Sequence, residues 1–286
     1  MSELTDLPDL HGATIDAIIG HAGRATLPFQ RANREEQYAT AFWFNELVES
    51  TSESESADEV VRQYLVTAGE PTRVEMAEFT LRPELCAPAM SAEKLMMVDF
   101  AEGWIHLDGL GVAVMPTAGL HAHGSRKGWR WTTDEITDGL AARDEDIANL
   151  GANPVAACLL GHDVAAGSGA REQAVVVGEV ARGSDGGVRW VSRLPQGCVG
   201  APVFIASPLS GNSFKLVCVG VALPGDGHHT IATFDRIRTA LRALPAVAPD
   251  TATAQESADP STGPSTSTEP LPPTPEPKRR WWQRRG

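Results

Sequence analysis

The chain has 286 residues, 42% of them apolar, and a formal net charge of −13 at pH 7. This length and composition allow one large or two small folded domains with a buried core. The excess of carboxylates repels phosphate backbones, so nucleic-acid binding is not expected of the folded part.

Positive charge is concentrated at the carboxyl end of the chain. Without the five cations of the last nine residues, the total of −13 becomes −18 for residues 1–277. No run of about 18 apolar residues is present, so the sequence predicts no membrane span. The first residues are acidic and no apolar signal segment follows them, so we expect a cytoplasmic protein.

The chain contains four cysteines, and none of them forms a Cys-x-x-Cys pair. They are Cys86, Cys158, Cys198 and Cys218. In a reducing compartment such cysteines are expected to be buried thiols rather than disulfides or metal ligands. We expect no cofactor.

The amino-terminal part, residues 1–34, is predicted to be a helical extension. Apolar residues recur at helical spacing over residues 14–20, and Gly20 or Gly23 is expected to end the helix. An acidic, serine-rich run at residues 49–59 is predicted to be a solvated hairpin insertion, with phosphorylation as the alternative.

From residue 37 onward the apolar pattern has the period of strands. Strand-like segments occur at residues 39–44, 64–68, 72–76, 95–100, 104–107, 111–115, 155–160, 173–180, 188–191, 201–205 and 216–223. Many short strands with glycine-rich turns indicate a sandwich or a barrel. Residues 115–131 are predicted to connect two barrels, a helix is predicted from about Asp134 to Asn149, and Asp235 is predicted to cap a closing helix at about 235–245.

Four motifs occur in an informative order. The stretch Gly-Cys-Val-Gly-Ala-Pro-Val at residues 197–203 resembles the turn that carries the nucleophile in trypsin-like (chymotrypsin-fold) serine peptidases. Residues 39–44, 64–68 and 111–115 resemble the opening strand of that family and the strands beside its histidine and aspartate. The resemblance covers about residues 35–245. It implies an all-β fold with two antiparallel six-stranded β-barrels, at about 35–125 and 150–235, in a domain spanning 35–247.

The resemblance places Glu70 at the histidine, Gly111 at the aspartate and Val199 at the serine of the catalytic triad. Val199 has no lone pair with which to attack a carbonyl, and Gly111 has no side chain to orient a base. Glu70 has no nucleophile to serve. Only the N–H groups of Gly197 and Val199 are left as an oxyanion-hole-like, anion-binding turn. We therefore expect a catalytically inactive homologue that acts as a binding or regulatory module.

Two alternatives keep a role for the cleft. The first is an active peptidase with a misaligned triad or with Cys198 as its nucleophile, although Cys198 lies one residue early in the motif and no histidine lies near residues 67–68. The second is peptide binding without cleavage: Val221, Ala222 and Leu223 resemble the edge strand along which the family pairs substrate backbone.

The histidines also suggest a metal site. His121 and His123 are spaced to share one face of a strand, and His162 or the pair His228 and His229 could approach them, with Asp163 and Asp226 as further ligands. The surrounding glycines favour solvated loops instead, so no metal site is predicted.

Residues 248–286 are rich in Thr, Ser, Pro, Ala and Glu and are predicted to be a disordered tail. The tail ends in a basic aromatic motif formed by Arg279, Arg280, Trp281, Trp282, Arg284 and Arg285. Three roles compete for this motif: docking on a protein partner, insertion at an anionic membrane surface, and folding back on the acidic body of the chain.

Overall fold

The computed structural model describes residues 10–33, 38–48, 60–89, 94–162, 171–210, 213–225 and 228–244, which all belong to one unit, Met1–Pro245. The helices are α1 (Leu10–Ala22), α2 (Ala118–Arg126), α3 (Asp144–Ala148) and α4 (Phe234–Ala243). The first eight strands are β1 (Thr26–Arg31), β2 (Tyr38–Val48), β3 (Val60–Ala68), β4 (Met76–Thr80), β5 (Cys86–Ala87), β6 (Lys94–Val98), β7 (Ile105–Leu107) and β8 (Val112–Pro116). The others are β9 (Arg130–Trp131), β10 (Ile136–Thr137), β11 (Val155–His162), β12 (Gln173–Arg182), β13 (Val188–Trp190), β14 (Pro202–Pro208), β15 (Phe214–Leu223) and β16 (His229–Thr233).

The amino-terminal sheet differs from the predicted six-stranded barrel. Its strands run in the order β6-β4-β1-β2-β3-β8-β7, with β10 as an eighth strand beside β2. Strands β6 and β7 form the two margins of the sheet and are not paired with each other. The sheet also begins earlier than predicted, because β1 lies inside the segment assigned to the helical extension.

The carboxy-terminal sheet is a closed six-stranded barrel in the order β11-β12-β13-β16-β15-β14. Every pairing within it is antiparallel. The predicted all-β class, with two barrel-like sheets, an amino-terminal helix and a carboxy-terminal helix, is therefore confirmed. The short strands β5 and β9 form a separate two-stranded sheet.

Strand β2 explains why the two sheets pack against each other. Both of its faces are buried, and its side chains alternate between two cores. Ala41 and Trp43 point into the core enclosed by the first sheet, whereas Phe42 and Phe44 point into the core between the two sheets. Phe204 of β14 lies in the same interface, so burial of aromatic surface joins the two sheets.

The connection between the sheets is not the predicted helix from Asp134 to Asn149. Ile136 is fully buried and pairs in parallel with Phe44 of β2, which draws this segment into the first sheet. The carboxylate of Asp134, where the helix was predicted to begin, accepts hydrogen bonds from the backbone and the guanidinium of Arg24. Only the short α3 remains of the predicted helix.

Helix α4 closes the domain close to where the sequence places a helix. Its N-cap is Thr233 rather than Asp235, which lies in the first turn. Phe234, Ile237 and Leu241 are fully buried against the interface between the sheets. Among the described residues, no helix has the length and apolar character required to cross a bilayer.

All four cysteines are buried and none of them forms a disulfide, as expected. Burial raises the pKa of the Cys86 thiol to about 11 and also raises the pKa values of Cys158 and Cys218. These three side chains therefore stay as neutral thiols at neutral pH, in keeping with a packing role.

The acidic run at 49–59 and the tail from residue 248, with Arg279, Arg280, Trp281, Trp282, Arg284 and Arg285, lie outside the described residues. The predictions made for these two segments stay predictions.

Candidate functional site

The turn that resembles the nucleophile turn lies where the two sheets meet. Residues Gln196–Cys198 form a 3₁₀ turn, and Val199 follows in an extended conformation. The carbonyl of Val199 accepts a hydrogen bond from the N–H of Thr40 at 2.8 Å, and the N–H of Gly200 donates to Ala222 at 2.8 Å. One turn therefore contacts both β2 and β15.

Position 200 requires a glycine for two reasons. Its φ is +82°, in the left-handed region that glycine tolerates. A Cβ on Gly200 would lie 2.2 Å from Thr67 Oγ1, 2.6 Å from the carbonyl oxygen of Thr40 and 2.8 Å from the amide nitrogen of Ala68. The backbone of the turn thus touches β3, two residues before Glu70.

The anion-binding turn predicted at Gly197 and Val199 has one of its two donors engaged. The N–H of Val199 donates to the carbonyl of Gln196 at 3.2 Å, inside the 3₁₀ turn. The carbonyl of Gly197 accepts a hydrogen bond from Thr40 Oγ1 at 2.6 Å, which fixes the orientation of the turn. In this conformation the N–H of Val199 does not point at a free anion site.

His162 completes a buried chain of hydrogen bonds behind this turn. Its Nδ1 lies 3.1 Å from Thr40 Oγ1. Because that hydroxyl donates its proton to Gly197, Nδ1–H of His162 is the donor and Nε2 is unprotonated. His162 is 1% exposed, and Nε2 has no hydrogen-bond partner in the part of the chain that the structure describes. Neither group of the His162–Thr40 pair can reach a substrate.

Burial lowers the pKa of His162 from its ordinary value to about 3, with smaller contributions from the positive charges of Arg82 and Arg171. The unfolded chain takes up a proton on this imidazole below about pH 6.5, whereas the native protein does so only near pH 3. The stability due to the neutral imidazole is therefore complete above about pH 6.5 and is lost as the pH falls toward 3.

We expect the free energy of unfolding to fall with decreasing pH by up to about 1.4 kcal/mol per pH unit because of this one group. In His162→Asn, which keeps a donor for Thr40, that part of the slope should disappear. Urea unfolding between about pH 7 and pH 4 measures it, with the exposed His228→Asn as the control. Equal slopes in the parent and His162→Asn would contradict the assignment.

A cleft of about 400 Å³ lies beside Glu70 and Gly111, the positions that the sequence resemblance assigns to the histidine and the aspartate of the triad. It is lined by Glu70, Asp108, His106 and Arg73, with Leu223 as an apolar wall. The N–H of Gly69 donates to the carbonyl of Gly111 at 2.7 Å, which fixes the two sides of the cleft to each other. The carboxylate of Glu70 is exposed to solvent at the start of a 3₁₀ turn.

Leu223 occupies the space beside Gly111. The φ of Gly111 is +69°, and a Cβ there would lie 3.1 Å from a methyl carbon of Leu223. An aspartate at this position would have a strained backbone and its side chain would meet an apolar group. The site therefore lacks the carboxylate, and a side chain at this position would have to displace the methyl group of Leu223 slightly.

One imidazole does lie in the cleft. His106 Nε2 is 3.0 Å from Thr72 Oγ1 and 3.3 Å from the carbonyl oxygen of Gly69. Thr72 is fully buried and donates its hydroxyl proton to Gly69 at 2.8 Å. The hydroxyl therefore does not donate to His106 and is closed to substrate. His106 was not among the predicted site residues, because no motif of the family points to it.

Cys198 does not face the cleft. Its side chain is 1% exposed and packs in the core of the closed barrel. A Cβ on Gly161 would lie 2.5 Å from Cys198 Sγ, so the thiol fills the space that this glycine leaves. A nucleophile must be accessible to its substrate, and this thiol is not.

The structure corrects the expectation of an open edge at Val221, Ala222 and Leu223. These residues end β15, which is paired with β14 on one side and β16 on the other. Ala222 also uses both of its backbone groups, donating to Ala201 at 3.0 Å and accepting from Gly200. This stretch therefore has no free edge to which a peptide strand could add.

The histidines considered as metal ligands lie on different elements. His121 and His123 belong to α2 rather than to a strand, His162 is buried in β11, and His229 belongs to β16. Asp163 and Asp226 lie outside the described residues. Among the residues that are described, no group of three or more His, Cys, Asp or Glu side chains is placed to hold a metal ion.

No family model and no curated protein matches the chain. It is similar to Deg5, with 11% identity, a TM-score of 0.45 and coverage of 84% of this chain and 95% of that one. It is also similar to a serine endoprotease from Yersinia pestis, with 10% identity, a TM-score of 0.44 and coverage of 85% and 69%. A third similar structure is catalytically inactive tobacco etch virus protease complexed with substrate, with 10% identity, a TM-score of 0.45 and coverage of 80% and 87%.

Proposed function

We propose that this protein is a catalytically inactive homologue of the trypsin-like peptidases and binds a peptide or protein segment without cleaving it. The observation that carries the proposal is the chemistry of the cleft walls. Among its lining residues, the only side-chain hydroxyl or thiol is that of Thr230, and no hydrogen bond joins Thr230 to His106. A nucleophile that is not coupled to a base cannot carry out acyl transfer at a useful rate.

The three positions at which the family carries its triad support the same proposal. Val199 offers no lone pair, Gly111 is covered by Leu223, and Glu70 is a solvent-exposed carboxylate. Loss of the nucleophile and base of a triad lowers kcat by about 10⁶, and the remaining acceleration of about 10³ to 10⁴ over water is too slow for a working peptidase.

The walls of the cleft suit recognition rather than catalysis. The carboxylates of Glu70 and Asp108 and the guanidinium of Arg73 line the cleft together with the apolar residues Leu223 and Val112. Such a mixture of an apolar surface with a few charged groups is typical of binding sites for peptide side chains. We propose the basic aromatic tail as a second contact, with a protein partner as its target and an anionic membrane surface as the alternative.

A fluorophosphonate probe tests the inactive state directly. We expect no covalent labelling of the full chain and no cleavage of a diverse peptide library, whereas trypsin in parallel is labelled and cleaves. Val199→Ser should also stay unlabelled, because no imidazole is hydrogen-bonded at that position. Labelling or cleavage that disappears on changing Cys198 to Ala or Thr230 to Val would overturn the proposal in favour of an active peptidase.

A further inference from the structure

Strand β6 lies at one margin of the first sheet and has backbone groups that no neighbouring strand among the described residues binds. Ala32 N–H donates to the carbonyl of Met76, so Met76 directs its backbone groups toward β1. Because backbone direction alternates along a strand, Ala77 and Phe79 direct theirs toward β6, where they pair with Met97 and Leu95.

The intervening residues of β6, Lys94, Met96 and Val98, therefore direct their N–H and C=O groups away from β4. No backbone partner for these three residues is found in the described parts of the chain. We call this row of outward groups the β6 edge. An unpaired edge of this kind is a template on which an extended peptide can form a further strand.

An apolar pocket adjoins the β6 edge. It has a volume of about 330 Å³ and lies between β6, the end of β8 and helix α2. Three of the six methionines of the chain, Met96, Met97 and Met115, line it together with Leu95 and Leu120. Methionine side chains are flexible and polarizable, and for this reason they are common at surfaces that accept varied apolar partners. We call this cavity the methionine pocket.

Two of the three exposed side chains of the β6 edge are apolar, and the third, Lys94, forms an ion pair with Glu78 of β4 at 2.7 Å. Met96 is 45% exposed and Val98 is 63% exposed, and Met76 of β4, which pairs with Val98, is 38% exposed. Natural proteins usually protect a free edge with charges, proline or a bulge. Lys94 supplies one such charge at the start of β6, whereas the apolar surface at Met96 and Val98 favours contact with another chain.

The charge around the methionine pocket selects among possible occupants. No carboxylate lines it, and its only charged lining residue at neutral pH is Arg126, because burial and the neighbouring cations lower the pKa of His123. Neither Arg126 nor the adjacent Lys127 forms an ion pair within the described ranges. On a protein with a net charge of −13, this local positive charge favours an acidic ligand.

We propose that the β6 edge and the methionine pocket together bind an extended peptide segment that places an apolar side chain in the pocket and an acidic residue beside Arg126. This site is separate from the cleft near Glu70 and does not depend on the proposed loss of catalysis. Backbone pairing supplies the general affinity, while the pocket and Arg126 supply the selectivity.

The probe is a fluorescein-labelled, acetylated hexapeptide of alternating Glu and Leu, with binding to the full chain followed by fluorescence anisotropy. We expect saturable binding that is lost when the Glu residues are replaced by Lys. Two N-methylated versions, one methylated at the Leu amides and one at the Glu amides, test the pairing. In an extended peptide the N–H groups of the Leu residues point to one edge and those of the Glu residues to the other. Only one of these edges pairs with β6, so the version methylated on that edge should not bind and the other version should.

Two pairs of variants locate the site. Arg126→Glu should weaken binding at least about five-fold, whereas Arg236→Glu, the same charge change on an exposed position of α4, should leave it within about two-fold. Met96→Pro removes one outward N–H without touching the ladder to β4 and should weaken binding about ten-fold or more, while Met96→Ala keeps that N–H and should bind more tightly than the proline variant.

Several outcomes would overturn the proposal. These are no binding at about 1 mM peptide, equal binding of both N-methylated versions, and equal effects of Arg126→Glu and Arg236→Glu. Sedimentation showing a dimer that Met96→Pro dissociates, without peptide binding, would assign the edge to a second copy of the chain. Binding of laurate in the methionine pocket without peptide binding would assign it to an amphiphilic carboxylate. If Met96→Pro fails to fold, the comparison of Arg126→Glu with Arg236→Glu and the binding of the N-methylated peptides still test the proposal.

Discussion

Gly200→Ala is expected to destabilise the protein by more than about 4 kcal/mol or to prevent folding. The new Cβ would lie 2.2 Å from Thr67 Oγ1 and 2.6 Å from the carbonyl oxygen of Thr40, and these two atoms belong to adjoining strands. Thr67 Oγ1 in turn donates to that same carbonyl at 2.7 Å, so neither atom can move without losing a buried hydrogen bond. The turn would have to leave the junction between the sheets.

Gly128→Ala is the matched control for this experiment. Gly128 has a φ of +78°, close to that of Gly200, but nothing lies within 4 Å of a Cβ built there. Gly128→Ala should therefore lower the free energy of unfolding only by the cost of a left-handed backbone, about 1–2 kcal/mol. Urea unfolding of the two variants separates backbone strain from the contact between the sheets, and equal destabilisation would show that the contact is unimportant.

Arg238→Met is expected to lower the free energy of unfolding by about 3 kcal/mol. The guanidinium of Arg238 is buried under α4 and binds Asp138 Oδ1 at 2.6 Å, together with the carbonyl oxygens of Asp138, Ala141 and Ala142. Removing it takes the cation from the Asp138 carboxylate, which still accepts a hydrogen bond from Leu47 N–H at 3.1 Å, and leaves three carbonyls of the segment that connects the two sheets without their donor.

The control is Arg236→Met, on the same helix but exposed to solvent and without an ion pair among the described residues. Its effect should stay within about 0.5 kcal/mol, and the denaturant midpoints of the two variants give the comparison. A loss below about 1 kcal/mol in Arg238→Met would mean that water satisfies the carbonyls once the arginine is gone.

Most strand positions were predictable from the sequence, whereas β1 and the segment that follows Asp134 were not. The alternation in β2, β11 and β15 has the period of a strand, and each of these segments was identified. β1 was missed because it lies within residues 1–34, which were assigned as a whole to the helical extension. The first part of the helix expected from about Asp134 to Asn149 did not form, because Ile136 pairs with Phe44 of β2, which lies far away in the sequence.

Some features of the candidate site were also predictable from the sequence, and others were not. The motif at residues 197–203 located the turn, since a glycine with positive φ between small residues leaves a local signature. Nothing local marks His106 beside Thr72, or the packing of Leu223 against Gly111, because each pair joins residues far apart in the chain. The predicted edge strand at Val221–Leu223 failed for the same reason, as its partners come from residues 200–201 and from β16.

By itself the sequence determined the all-β class, the two terminal helices, the position of the glycine turn and the absence of a serine at its centre. These follow from the periodicity of apolar side chains and from residue chemistry, which act over a few positions. Tertiary structure alone decided that the second sheet closes while the first stays open at β6, and that His162 is buried behind Thr40. Such outcomes depend on which distant surfaces pack together, and packing is a property of the whole chain rather than of any one segment.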